Sequence, residues 1–268
     1  MNENNYDYLA KQTKFSGFGE AHQDELKQKM QHLAPEFSII HEQQFGNDAT
    51  TATLQFKKST SSDMYFFNSY RLELNNKPPG TPVKQTFYTS DGFTLKEAYN
   101  MLTGRSVQKE KLNKEQEKFA AWFSINFSEN DSHGNFKLNT YYPNYGFDLE
   151  KSLAQHPIRE LGDAQQKQWL MDSLHRGNRQ AVTLQINGQE KKLFVEASPK
   201  FKSLNFYDDV HQRIKPENLY ETSTAVPDNK LADEKKALDK GEAPQQKQTR
   251  ETDNKQKQAK QKKKAIKR

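Results

Sequence analysis

Eight cations crowd the last fourteen residues of the chain: Lys255, Lys257, Lys260, Lys262, Lys263, Lys264, Lys267 and Arg268, with no carboxylate among them. A run of this kind attracts polyanions. Neutralising phosphates releases the counterions condensed on nucleic acid, so such binding is salt-sensitive, and a lysine arm contacts phosphates and not base edges. These eight are the candidate nucleic-acid-binding residues, with DNA or RNA as the partner. A merely solubilising tail is the other meaning of the same composition. Subtracting the eight from the net charge of +6 leaves −2 on residues 1–254. The isoelectric point of about 9.1 therefore reports the tail and argues for no basic face on the fold.

The remaining residue types offer little chemistry. Seven histidines (His22, His32, His41, His133, His156, His175 and His211) form no HxH, HExxH or HxxxH set, so a metal centre would need ligands from distant segments. His175 follows a helix, where the helix dipole accounts for it. Tyr141, Tyr142 and Tyr145 would need a metal held by clustered histidines to act as nicking nucleophiles, and a strand end rich in aromatics explains them. Tyr65 or Tyr70 could stack bases if exposed, although core packing is the ordinary role of such rings. Gly17-Phe18-Gly19 precedes a helix, as phosphate cradles do, but no strand leads into it and the third glycine of a dinucleotide fingerprint is missing. It reads as a flexible lead into the helix. Asp63 reads as a strand cap as readily as an acid. No P-loop or nucleophile-elbow motif occurs. No catalytic, cofactor-binding or metal-binding residue is assigned, and the chain is read as non-enzymatic.

The elements are clearest between Asp163 and Phe206. Asp163 with Gln166 forms a capping-box pair, Leu170 and Leu174 share one helix face, and Gly177 supplies a left-handed stop. Val182, Leu184 and Ile186 then alternate with polar residues, Asn187-Gly188 turns the chain, and Leu193, Val195 and Ala197 alternate back. A four-residue loop from Asn187 to Glu190 would pair Leu184 with Leu193, whereas a two-residue turn would set Leu184 against Lys191; the first is favoured because it pairs apolar residues. Leu204 and Phe206 offer a third strand.

The run Leu174-His-Arg-Gly177-Asn178-Arg179-Gln180, Asn187-Gly188, Leu193-Phe194-Val195-Glu196-Ala197 and Lys202-Ser203-Leu204-Asn205-Phe206-Tyr207 resembles a domain of unknown function. That domain occurs, often in several copies, in proteins of conjugative and other mobile elements of Bacteroidota. Phe15-Ser16-Gly17-Phe18-Gly19-Glu20 and Asp63-Met64-Tyr65-Phe66-Phe67-Asn68 resemble what accompanies it. The resemblance spans most of residues 14–207. It implies a setting in DNA mobility and no particular reaction.

Read in order, residues 1–13 are polar and expected to be flexible, with Tyr6, Tyr8 and Leu9 as docking points. Residues 14–104 hold a helix through Leu26, Met30 and Leu33, a hairpin turned at Gly46-Asn47-Asp48, and a strand from Met64 to Leu74. That strand carries Phe66 on one face and Tyr65 and Phe67 on the other, as a strand covered on both faces would. A Val83–Tyr88 strand and a helix with the capping box Thr94/Glu97 follow. Arg105 to Lys118 reads as a charged linker. Residues 117–207 repeat the scheme, with Gly146-Phe147-Asp148-Leu149 echoing Gly92-Phe93-Thr94-Leu95. Residues 208–268 hold Tyr220 as their only aromatic and are expected to be a disordered, Lys-rich tail.

The fold class is α+β: mainly antiparallel hairpins with short helices packed on them, plus the tail. Apolar residues are only 32% of the chain, which confines a core to the region before residue 208. Cysteine is absent, which excludes disulfides and thiolate metal sites. The start has no signal-peptide pattern, and no apolar run is long enough to span a membrane, so a cytoplasmic protein without membrane contact is expected. The composition fits an accessory protein of a mobile element that contacts nucleic acid weakly through its tail. The alternative is an adaptor whose folded body binds another mobile-element protein.

Overall fold

A computed structural model describes residues 1–75 and 83–220. The Pro78-Pro79-Gly80 break, the tail beyond Tyr220 and its eight cations from Lys255 to Arg268 lie outside the described residues. The chain opens with α1 (Glu3–Thr13) and α2 (Gln23–Gln31), followed by β1 (Glu36–Phe45), β2 (Asp48–Lys58), β3 (Tyr65–Leu74) and β4 (Val83–Tyr88). Next come α3 (Leu95–Leu102) and β5 (Val107–Leu112), β6 (Lys118–Asn130) and β7 (Phe136–Tyr141). Then α4 (Leu149–Ala154) and α5 (Ala164–His175) lead into β8 (Gln180–Ile186), β9 (Gln189–Ser198), β10 (Ser203–Tyr207) and β11 (Arg213–Ile214). The strands make three antiparallel meanders, β1-β2-β3-β4, β5-β6-β7 and β8-β9-β10-β11, each entered from a helix. The architecture is α+β with antiparallel sheets throughout. No helix among the described residues is long and apolar enough to cross a membrane.

The start of the chain is a docked helix and not the flexible segment expected for residues 1–13. Asn2 caps α1 by accepting from the Asn5 amide, and Leu9 is fully buried. The buried Asn5 carboxamide donates to the Tyr65 carbonyl at 3.0 Å and accepts from the Tyr65 amide at 2.7 Å. A side chain thereby completes the backbone pairing at the start of β3. Asn5, Leu9 and Thr13 recur every four residues along the buried face, a helical stripe disguised by its polar ends.

β3 is an inner strand, but only one of its faces is covered. Tyr65, Phe67, Tyr70, Leu72 and Leu74 are buried while Phe66 is 48% exposed, which corrects the two-sided reading. The switch from odd to even positions comes from a bulge. Gln55 pairs with Ser69 and Phe56 with Phe67, so Asn68 is the extra residue and the apolar side chains stay on one face across it. Tyr65 and Tyr70, considered above as base-stacking rings, lie in the core with their hydroxyls donating to the Ala34 and Phe93 carbonyls.

Arg105 to Lys118 is not a linker. It contains β5, whose Val107 is fully buried opposite Phe123 of β6. Sheet β5-β6-β7 is shared between two cores. Ala121, Phe123 and Ile125 belong to the core of the first sheet, and Trp122, between them, belongs to the core of the last. A line of ring contacts runs Phe67–Tyr70–Phe87–Phe93–Phe123 from the first sheet into the second. The regions expected at 14–104 and 117–207 are therefore joined into one compact unit.

The final hairpin also departs from expectation. Asn187 and Gly188 both take positive φ, 51° and 76°, and form a two-residue turn that pairs Leu184 with Lys191 and Val182 with Leu193. A turn of this twist matches the strands, and a register shift of two residues leaves every side chain on its original face, so the apolar pairing is given up at little cost. The outer edge of β8 is covered as well: Ile158 bridges Leu184, and Glu160 accepts from the Thr183 amide. Thr183 is consequently 4% exposed and not on an open face. Leu184→Ala is expected to cost about 2–5 kcal/mol and Thr183→Ala about 1 kcal/mol in urea unfolding. Equal costs would contradict the core assignment. The body also runs past residue 208, because β11 pairs with β10 and Leu219 is buried.

Candidate anion-binding groove

Helix α3 begins with a full capping box, the Thr94 amide donating to Glu97, and Glu97 is further held by the Lys109 ammonium at 2.7 Å. With its start fixed, α3 presents Lys96, Tyr99 and Asn100 one turn apart. Tyr99 stacks on Phe45 at 4.4 Å and donates to the Asp48 carboxylate at 2.9 Å. The Lys96 ammonium lies over both rings, 4.5 Å from Phe45 and 4.6 Å from Tyr99. Gly104 then turns the chain with φ 87°, and Arg105 comes back over Tyr99 at 5.3 Å while donating to the Asn100 side-chain oxygen at 2.7 Å.

The opposite wall comes from the junction between α5 and β8. Asn100, fully buried, donates to the Arg176 carbonyl at 2.7 Å and to the Asn178 side chain at 2.9 Å. Arg179 lies 3.5 Å over the Tyr207 ring and pairs with Glu196 at 3.2 Å. Glu196 is itself held by Asn205 and by the Tyr207 hydroxyl, and burial together with this carboxylate pushes the Tyr207 pKa up to about 12. Arg105 follows the left-handed glycine after α3 by one residue, and Arg179 follows the one after α5 by two. Phe45, Lys96, Tyr99, Arg105 and Arg179 line a groove of about 410 Å³.

The charges in this groove are not balanced. Among the described residues no carboxylate lies within ion-pair distance of Lys96 or Arg105, and the buried Arg105 Nε has no hydrogen-bond partner. Burial and the neighbouring Arg105 pull the Lys96 pKa down, and burial lowers that of Arg105 against the opposing fields of Tyr99 and Glu196. Two partly buried cations that disfavour one another are relieved by an anion placed between them. Residues 1–220 carry equal numbers of basic and acidic side chains, so the groove is a local excess within a neutral body.

The residues considered from sequence fall elsewhere. Phe18 of the Gly17-Phe18-Gly19 segment is buried and Gly17 packs against Leu95, which leaves no cradle there. Asp63 accepts a hydrogen bond from Asn2. Tyr142 is exposed and Tyr145 donates to the Lys200 carbonyl. No group of three or more His, Asp or Glu is placed to hold a metal among the described residues. His22 and His41 do meet, at 2.9 Å, with the His41 Nε2 buried and without a partner. Burial first, and His22 second, lower the pKa of His41. Its folded value lies below the ordinary ~6.5, so its contribution to stability is present above that pH and lost as pH falls below it. Urea unfolding is expected to show a steeper loss of stability on acidification for the natural chain than for His41→Gln; parallel curves would contradict this.

Together these features define a three-meander α+β body with a cationic groove where the end of β1, α3 and the α5–β8 junction meet. Comparison with protein-family models, with curated proteins and with solved structures returns no match, so function rests on the residues themselves.

Proposed function

We propose that this protein is a non-enzymatic, cytoplasmic accessory protein that binds the backbone of nucleic acid. The observation that carries the reading is the pair of cations, Lys96 and Arg105, that have no carboxylate within ion-pair distance among the described residues and sit in a groove of an otherwise neutral body. The open groove with its fixed guanidinium suits a phosphodiester, which Arg and Lys hold by charge-assisted hydrogen bonds. Lys255, Lys257, Lys260, Lys262, Lys263, Lys264, Lys267 and Arg268 add a sequence-independent arm. The resemblance to repeated domains of mobile elements supports a setting in DNA transfer, and the succession of three helix-to-meander units agrees with a domain that occurs in several copies.

The test is retention of duplex and single-stranded DNA across a salt series by the full chain and by a chain ending at Asn254. Each phosphate neutralised contributes about −0.9 to the slope of log affinity against log salt on duplex DNA, so removing eight cations flattens that slope by up to about 7. The shortened chain is expected to retain DNA at low salt through the groove. Equal slopes would remove the arm from the reading, and no retention by either chain would overturn it. A second reading, a protein–protein adaptor, is favoured by Ile40, Phe66 and Tyr88, which stand exposed on the outer face of the first sheet. Capture of one discrete protein by the shortened chain, abolished by Phe66→Ser and Tyr88→Ser, would establish it.

A further inference from the structure

The motif Gly-Phe-cap-Leu occurs twice, and its two copies pack differently. In both, a short 3-10 turn ends in a left-handed glycine, Gly92 or Gly146, and Thr94 or Asp148 caps the helix that follows. The first copy is closed. Phe93 is 3% exposed, packs edge-on against Phe87 and Phe123, and is covered by Lys111, which is tied to Asp91 at 3.0 Å. The second copy is open. Phe147 is only half-buried and borders a cleft of about 470 Å³, within the roughly 300–1,000 Å³ usual for small-molecule sites.

The walls of this cleft are aromatic and its floor carries unspent hydrogen-bonding capacity. Gln108, Trp122 and Tyr141 pair in a row across β5, β6 and β7. Trp122 meets Phe147 edge-on at 5.4 Å, and Tyr142 stands at the rim, 52% exposed. Among the described residues neither the Gln108 carboxamide nor the Trp122 indole N–H has a hydrogen-bond partner, and both residues line the cleft. A carboxamide donates and accepts side by side, which is what the edge of a nucleobase requires, while the ring walls suit its flat faces. Asp148 and Lys151 of the lining pair with each other at 3.3 Å, which leaves the cleft without net charge, as a neutral ring requires.

We propose that the cleft of Gln108, Trp122, Tyr142 and Phe147 receives one unpaired nucleobase of a single strand, an assignment that rests on the nucleic-acid reading above. Lys96 and Arg105 hold the backbone, and this cleft adds a preference for single-stranded over duplex nucleic acid, whose bases are already stacked and paired.

The chain has two tryptophans, and Trp169 is 62% exposed and outside the cleft, so in full-length Trp169→Phe protein the emission of Trp122 reports on the cleft alone. Short single-stranded DNA is compared with an abasic strand of equal phosphate number, with retention read by anisotropy. The base-bearing strand should quench Trp122 and bind about tenfold tighter than the abasic one, and Gln108→Leu or Tyr142→Ala should remove both differences. Equal affinity without quenching would overturn the base site while leaving backbone binding intact. Should neither strand be retained, the backbone reading fails, and a neutral nucleoside at millimolar concentration decides the cleft: quenching that Gln108→Leu abolishes sustains it, and no quenching overturns it.

Discussion

Gly177→Ala is expected to cost about 2–5 kcal/mol, a large loss for one added methyl group. Two effects combine. Gly177 has φ 75°, where a Cβ costs roughly 1–2 kcal/mol by itself. The space is also occupied: a Cβ there would lie 2.7 Å from the Ser106 carbonyl oxygen and 2.9 Å from a Val107 methyl. Ser106 immediately precedes β5 and Val107 begins it, so the second and third units must part for the methyl to fit, at a further 1–3 kcal/mol or so. Gly188 is the control, since it shares the positive φ and has nothing within 4 Å of its Cβ position. Gly188→Ala should therefore lose only the conformational part. Urea unfolding of the two variants checks this, and equal losses would contradict the close approach of the two units. Because Asn100 bonds the residues on either side of Gly177, the substitution should also weaken the groove under conditions where the protein stays folded.

Local signals in the chain were legible where one residue decides the geometry. The Thr94/Glu97 box and the Leu170/Leu174 stripe appear in the structure as read, whereas Asp163 caps α5 only by accepting from the Gln166 amide, without the return bond of a full box. Competing signals were harder to rank. In the final hairpin the twist of Asn187-Gly188 outweighed the pairing of Leu184 with Leu193, because both registers bury the same faces and only the turn distinguishes them. β5 was hidden by its composition. Lys109, Glu110 and Lys111 look like a linker, yet as a strand they place Lys109 against Glu97 and Lys111 against Asp91. The groove was not legible at all. Its members come from β1, α3 and two helix-to-strand junctions, and nothing in their local sequence foretells that Asn100 will bridge to Arg176 and Asn178. The available hint was the recurrence of an arginine after a helix-ending glycine, at Gly104-Arg105 and Gly177-Asn178-Arg179.

The second large effect concerns binding. Lys96→Gln with Arg105→Gln removes both unpaired cations and leaves the Arg179–Glu196 pair and the Asn100 bridge in place. A hydrogen bond to a charged group is worth about 1.5–3 kcal/mol, so each lost contact lowers affinity about tenfold or more. Arg105 also donates to the buried Asn100 side chain, so the double variant is compared with the parent in urea unfolding before its binding is read. The most direct test of the account uses the chain ending at Asn254, in which the lysine arm cannot mask the body, and measures affinity for one single-stranded DNA against salt. The account predicts that the double substitution flattens the slope on a single strand by about 1.4, roughly 0.7 for each phosphate contact, and weakens binding uniformly across base sequences. An unchanged slope and affinity in a folded double variant would show that the groove holds no phosphate.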